Sequence, residues 1–195
     1  MRTRRRERLA LFVLLLSQWA QGAAPAETKD LFARVRARYA AITSLSATVD
    51  QTKSSPLLKR PLKSLVRLSL REGVIRWEVL SPVPATMILN GGSVTLVGSD
   101  GKEQPMRGGQ EARQLFTLIE QIIKADWSGL AAACTVTNPG PRTLVLEPLP
   151  QAKLAFLKQL IFHFDENLDL KELSIVTPGE STLLQFRHLE WKGPR

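Results

Sequence analysis

The chain has 195 residues and a single cysteine, so it is of single-domain length and no intramolecular disulfide can staple it. Its net charge is +9, with 27 Lys and Arg against 18 Asp and Glu. Nucleic acid is nonetheless not the expected partner, because an export-type leader takes the chain away from it and the few aromatics are not interleaved with basic residues.

Arg2, Arg4, Arg5, Arg6 and Arg8 precede an unbroken apolar run, Leu9 to Leu16, followed by small residues. That run is far shorter than the about 20 residues a spanning helix needs. Its flanks are those of a secretory signal peptide. Residues 1–22 are read as that peptide, with cleavage between residues 22 and 26 and one exported, soluble domain over 27–195. An uncleaved anchor is the competing reading. No cysteine stands just after the cleavage region, so nothing marks the chain for lipidation there. The leader takes five arginines and Glu7 with it, which lowers the net charge from +9 to +5.

Glu27 to Ile42 carries Leu31, Val35, Tyr39 and Ile42 at helical spacing, with Arg34, Arg36 and Arg38 directed elsewhere. Leu45 to Thr52 then turns extended. Leu62 to Leu70 alternates with period two, which puts Leu62, Val66, Leu68 and Leu70 on one face. Val74 to Leu80 groups Ile75, Trp77 and Val79, with Arg76 and Glu78 opposite. Ala85 to Leu89 runs into Asn90-Gly91-Gly92, a hairpin signal, and Ser93 to Gly98 returns. Between Gln51 and Arg71 stand Lys53, Lys59, Arg60, Lys63, Arg67 and Arg71 with no acid. This is either a solvated strand face or a surface attracted to an acidic membrane or partner.

Glu111 to Lys124 is a second amphipathic helix, with Leu115, Leu118, Ile119, Ile122 and Ile123 on its stripe and Phe116 beside it. Asp126-Trp127-Ser128-Gly129 breaks it, and a strand starts in the following alanines at Cys134, a buried and inert thiol. Further strands are expected over 143–147, 159–164, 170–176 and 182–191, with a helical turn or two between Leu149 and Leu157. Asn138-Pro139-Gly140, Asp165-Glu166-Asn167 and Pro178-Gly179 supply the turns.

No nucleophile elbow, His-Glu-x-x-His, paired cysteine or phosphate-cradling glycine loop is present, so neither an enzyme nor a cofactor is expected. His163 and His188 read as structural, and Asp165, Glu166, Asp169 and Glu172 as a solvated turn rather than a cation site. About ten strands and two or three helices imply an α+β, mainly β, fold: an incomplete, strongly curved antiparallel β-barrel with two to three α-helices across its concave side. If the helices fill that side, the result is an ordinary domain. If they cap it loosely, an apolar cavity remains.

Thr48-Val49-Asp50-Gln51, Arg71 with Ile75 and Trp77, Pro82, and Ile88-Leu89-Asn90-Gly91 together resemble the LolA family of periplasmic lipoprotein carriers. Leu144-Val145-Leu146-Glu147-Pro148, Ile161-Phe162-His163-Phe164-Asp165 and Leu173-Ser174-Ile175 add to the match, which covers most of the chain after the leader. Pro56 to Ser64 resembles a divergent LolA-like branch. The resemblance implies a monomeric periplasmic carrier of lipoprotein or other lipid acyl chains, such as polyene lipids. It would work between an inner-membrane donor complex and an outer-membrane acceptor. It implies that Arg71 bonds to the lid and holds the empty form shut. The cavity would be lined by Val66, Leu68, Leu70, Ile75, Trp77, Val79 and Ile88, and the lid would present Leu31, Val35, Leu115, Ile119 and Ile122. Two departures stand out. Glu72 occupies a place where the family often has Pro, and Arg195 closely follows Trp191 where the family continues with a closing segment. A non-transporting lipid sensor or envelope assembly factor with the same fold is the alternative.

Overall fold

A computed structural model describes residues 25–40, 42–98, 100–105, 110–124, 126–152 and 154–193, so the leader and its cleavage region lie outside the described residues. The chain folds as α1 (Pro25–Tyr39), β1 (Ser44–Ser54), β2 (Leu62–Arg71), β3 (Val74–Ser81), β4 (Ala85–Asn90), β5 (Ser93–Val97) and β6 (Glu103–Pro105). Then come α2 (Gln110–Ile123), α3 (Trp127–Ala133), β7 (Cys134–Gly140), β8 (Thr143–Pro148), β9 (Gln159–Phe164), β10 (Leu170–Val176) and β11 (Ser181–Lys192). All eleven strands form one sheet in the order β6-β5-β4-β3-β2-β1-β11-β10-β9-β8-β7. Every neighbouring pair is antiparallel. The sheet is curved and not closed, as the α+β, mainly β, expectation required. No helix of the described residues is long and apolar enough to cross a membrane.

Period-two alternation translates directly into one apolar face. Register sets Leu45 opposite Leu70, Leu70 opposite Ile75, Ile75 opposite Leu89 and Leu89 opposite Val94, a continuous row across five strands. Ala47, Leu68, Trp77 and Met87 make the next row. In the other half Leu184, Leu173, Phe162 and Leu144 align the same way. The opposite face is charged: Arg67 and Arg76 both bind the Glu78 carboxylate, at 3.2 and 2.5 Å, and Asp50 pairs with Arg187. The Arg76 hydrogen bond is the main reason that the Glu78 carboxyl titrates below its usual range. For Arg67 the solvated-face reading therefore holds.

Three local features differ from expectation. Asp126 does not simply break a helix; its carboxylate accepts the Gly129 N–H at 3.2 Å and caps α3, so Ala131 to Ala133 are helical and the strand begins at Cys134. The segment after β8 holds turns rather than a helix, closed by Ala152 N–H to Leu149 O and Leu157 N–H to Leu154 O. A bulge in β11 sets Ser46 opposite Glu190 but Thr48 opposite Arg187. His188 takes φ 50° there, a conformation histidine tolerates better than most residues. The extra residue reverses the alternation, so that Leu189 and Trp191, not His188 and Glu190, join the apolar face.

Glu72 and Gly73 form the two-residue turn between β2 and β3, both with positive φ (50° and 76°), the geometry of a type I′ hairpin. Asn suits the first position better than Glu. Glu72→Asn is expected to stabilise the fold by about 1 kcal/mol. Thermal denaturation checks this, and an unchanged or lower melting temperature would contradict it.

Candidate functional site: the apolar face and its helical cover

The apolar face is covered by the three helices of the described residues. On α1, Leu31 and Val35 are buried, and the helix packs against β7 and β8. Leu118, Ile122 and Ile123 of α2 are buried, with Ile119 half-buried against the same core. From α3, Trp127 enters the centre of the interior at 2% exposure. Its ring lies 5.2 Å from Phe162, 6.2 Å from Phe32 and 6.3 Å from Tyr39, each edge to face. Such contacts add about 0.5–1.5 kcal/mol each to what burial provides.

Polar contacts fasten the cover at two places. The first is a clasp at the end of α1. The Arg38 guanidinium donates to Asp169 Oδ1 at 2.6 Å and lies 4.7 Å over the Trp191 ring, whose Nε1–H donates to the same oxygen at 3.2 Å. Beside it, the Tyr39 hydroxyl donates to Leu168 O at 3.0 Å and accepts the Leu170 N–H at 2.9 Å. Burial pushes the Tyr39 phenol up to about 12, so it stays protonated and able to donate. Because the fold favours the neutral form, this contribution is complete below pH 10 and is lost as the pH rises towards 12. The second fastening is Glu120, a buried carboxylate on α2. It accepts the Gly92 N–H of the β4–β5 hairpin at 3.2 Å and pairs with Lys124 at 2.5 Å.

The acidic turn is spent on the protein itself. Asp165 accepts the N–H groups of Asn167 and Asp169 and pairs with Lys171. Partial burial opposes its ionisation, but these donors prevail and hold its carboxyl below the usual range. Cys134 is buried, and desolvation raises its thiol pKa. His163 Nδ1 lies 3.1 Å from Thr143 Oγ1 at the surface, and His188 occupies the bulge.

The expected cavity residues divide. Val66, Leu68, Leu70, Ile75 and Trp77 are buried on the apolar face, with Val79 half-buried beside them. Ile88 is not on it: its register partners are Arg76 and Thr95, so Met87 and Leu89 are the core-facing residues of β4. Leu115 lies on α2, but its side chain is outside the described residues. Arg71 is exposed at the outer end of β2. A turn does begin after it, yet alternation is unbroken, so its side chain shares the outer face with Arg67. There it borders an open, mixed-polarity hollow of about 820 Å³ with Glu72 and Glu190. The lid bond expected of Arg71 is absent among the described residues; Arg38 and Glu120 make the corresponding contacts. Arg71→Leu is accordingly expected to change stability by less than about 0.5 kcal/mol, measured by chemical denaturation.

The described residues leave space between face and cover. One void there measures about 30 Å³ and is lined by Tyr39, Leu68, Ile122, Trp127, Phe164 and Phe186, among others. That is the share of one water, against about 300–1,000 Å³ for a small-molecule pocket. That void is too small for an acyl chain. Tyr39 and Phe164 were missing from the expected lining, and Trp127 joins it. For Trp127 the signal lay in the Asp126 cap, which makes a short helix of 127–133 and aims its first residue inward.

No protein-family model and no curated protein sequence matches the chain. Solved structures do. A LolA superfamily protein from Nitrosomonas europaea is 8% identical, with a TM-score of 0.46 over 86% of this chain and 94% of that one. The chain is similar to LolA-superfamily proteins. A putative outer membrane lipoprotein-sorting protein domain from Vibrio parahaemolyticus is 12% identical, with a TM-score of 0.47 over 84% and 91% of the two chains. The lipoprotein LppX from Mycobacterium tuberculosis is 14% identical, with a TM-score of 0.42 over 86% and 97%. At such scores the LolA-like likeness says nothing of ligand or partner, and the fold class rests on this chain's own sheet.

Proposed function

We propose that this protein is a periplasmic carrier that takes lipoprotein or other lipid acyl chains between its apolar sheet face and its helical cover and moves them towards the outer membrane. The observation that carries the reading is the cover itself: a helix with an apolar inner stripe, α2, lies over an open sheet's apolar face and is tied to a hairpin by one carboxylate. The void of about 30 Å³ beneath the cover is too small for an acyl chain, so loading requires the cover to move. An acyl chain enters by displacing α2, while the Arg38–Asp169–Trp191 clasp keeps α1 in place as a brace.

The energetics suit a carrier. Each buried methylene is worth about 0.8 kcal/mol, so ten would contribute about 8 kcal/mol. Part of this is spent on undoing the α2 contacts, which leaves binding that is firm and reversible. Few directional bonds are involved, so chains of differing length and headgroup fit the same face.

The test is to express the chain with its leader in a Gram-negative host, purify it from the envelope, extract it with organic solvent and identify bound lipid by mass spectrometry. A stoichiometric acyl lipid is expected, and transfer of that lipid between donor and acceptor vesicles. A lipid-free protein that also fails to take up acyl chains in vitro would overturn the reading. Binding without transfer would make it a sensor instead.

A further inference from the structure

The outer strand face accounts for Arg67, which Glu78 binds, but not for the basic residues at the β1–β2 tip. Lys59, Arg60 and Lys63 are exposed, and no ion pair engages them among the described residues. Between and around them the chain places leucines where burial would be expected. Leu57 is 94% exposed and Leu62 52%. The next loop at the same end continues the pattern. Leu65 is paired with Ser81, so the chain entering β2 and the chain leaving β3 emerge side by side, and Val83 of the β3–β4 loop is 73% exposed. Of the five large apolar side chains that stand exposed among the described residues, four, with Leu80, belong to these two neighbouring segments.

We infer that the β1–β2 tip and the β3–β4 loop together dock this protein on a bilayer surface carrying anionic lipid. The charge pattern selects the occupant. Three cations without carboxylate partners seek phosphate, and apolar side chains interleaved with them gain only where the same surface also offers hydrocarbon. Pro56 and Pro61 bracket the tip and Pro82 and Pro84 the adjacent loop, which limits the freedom lost on docking. The apolar sheet face and its cover take no part, so docking stands apart from acyl carriage.

The experiment uses the full chain and vesicles of phosphatidylethanolamine with phosphatidylglycerol, compared with phosphatidylcholine alone. A polarity-sensitive dye is attached through Leu57→Cys; the native Cys134 is buried and does not compete for the label. The dye is expected to shift to the blue with anionic vesicles and much less with neutral ones, and the shift to weaken with salt. Reversing all three charges (Lys59→Glu, Arg60→Glu, Lys63→Glu) is expected to weaken anionic-vesicle binding about a hundredfold. Leu57→Ser should weaken it less. Fatty-acid uptake from solution should be unchanged in each variant, which separates failure of docking from failure of carriage. A dye at position 57 that stays in water on vesicle-bound protein would overturn the inference. So would charge reversal without effect, or a tip that binds acidic protein but not vesicles.

Discussion

Glu120→Ala is expected to accelerate and tighten acyl loading by about ten- to a hundredfold. The carboxylate accepts the Gly92 N–H in a buried setting and so ties α2 to the β4–β5 hairpin. A hydrogen bond to a charged group contributes about 1.5–3 kcal/mol, and each 1.4 kcal/mol is a factor of ten. If the closed form loses that much and the open form does not, the fraction able to bind rises by the same factor, and apparent affinity rises with it. Gly92 is exposed, so its freed N–H finds water and the variant should still fold. Lys124→Ala is the control, since it removes the surface partner of Glu120 and leaves the hairpin tie. Stopped-flow uptake of a fluorescent fatty acid reads the effect, and wild-type kinetics in Glu120→Ala would show that α2 is not the moving part.

Trp127→Ala should have the largest effect on stability, a loss of about 3–5 kcal/mol. Its ring is almost fully buried and touches the rings of Phe162, Phe32 and Tyr39, which belong to α1 and the far half of the sheet. Removal leaves a hole that those neighbours, each packed elsewhere, cannot close. Its Nε1–H has no hydrogen-bond partner among the described residues, so none is sacrificed by the change. Trp127→Phe should therefore recover most of the loss, because it restores the edge-to-face packing and drops an unpaired donor. Chemical denaturation measures both variants. A cost in Trp127→Ala below about 1 kcal/mol, the scale of an ordinary surface change, would mean that the interior is far more yielding than its packing implies.

These two positions differ in how visible they are in the chain. Glu120 looks like one more polar residue on an amphipathic helix, and only its meeting with the β4–β5 hairpin makes it a tie. Trp127 follows an acidic residue with good capping chemistry, a signal for the short helix that reading 126–129 as a break passed over, and the ring's central position had no local signal at all. Arg71 shows the reverse case. Its local motif is conspicuous, yet unbroken alternation along β2 leaves it on the outside of the sheet. Arg38 and Asp169, 131 positions apart, meet instead.

The amino-acid order alone determines ten of the eleven strands, the two longer helices, the apolar face and the need for a cover, because these follow from periodicity within a few residues; the three-residue β6 is too short to carry such a signal. Folding in three dimensions decided how full the covered space is, which residues latch it, and that the β11 bulge turns Trp191 inward. The reason is physical: alternation and helical spacing are read one turn or one pleat at a time. Volume filled and bonds closed depend on side chains brought together from distant parts of the chain, where a single extra residue in one strand reverses which of them face each other.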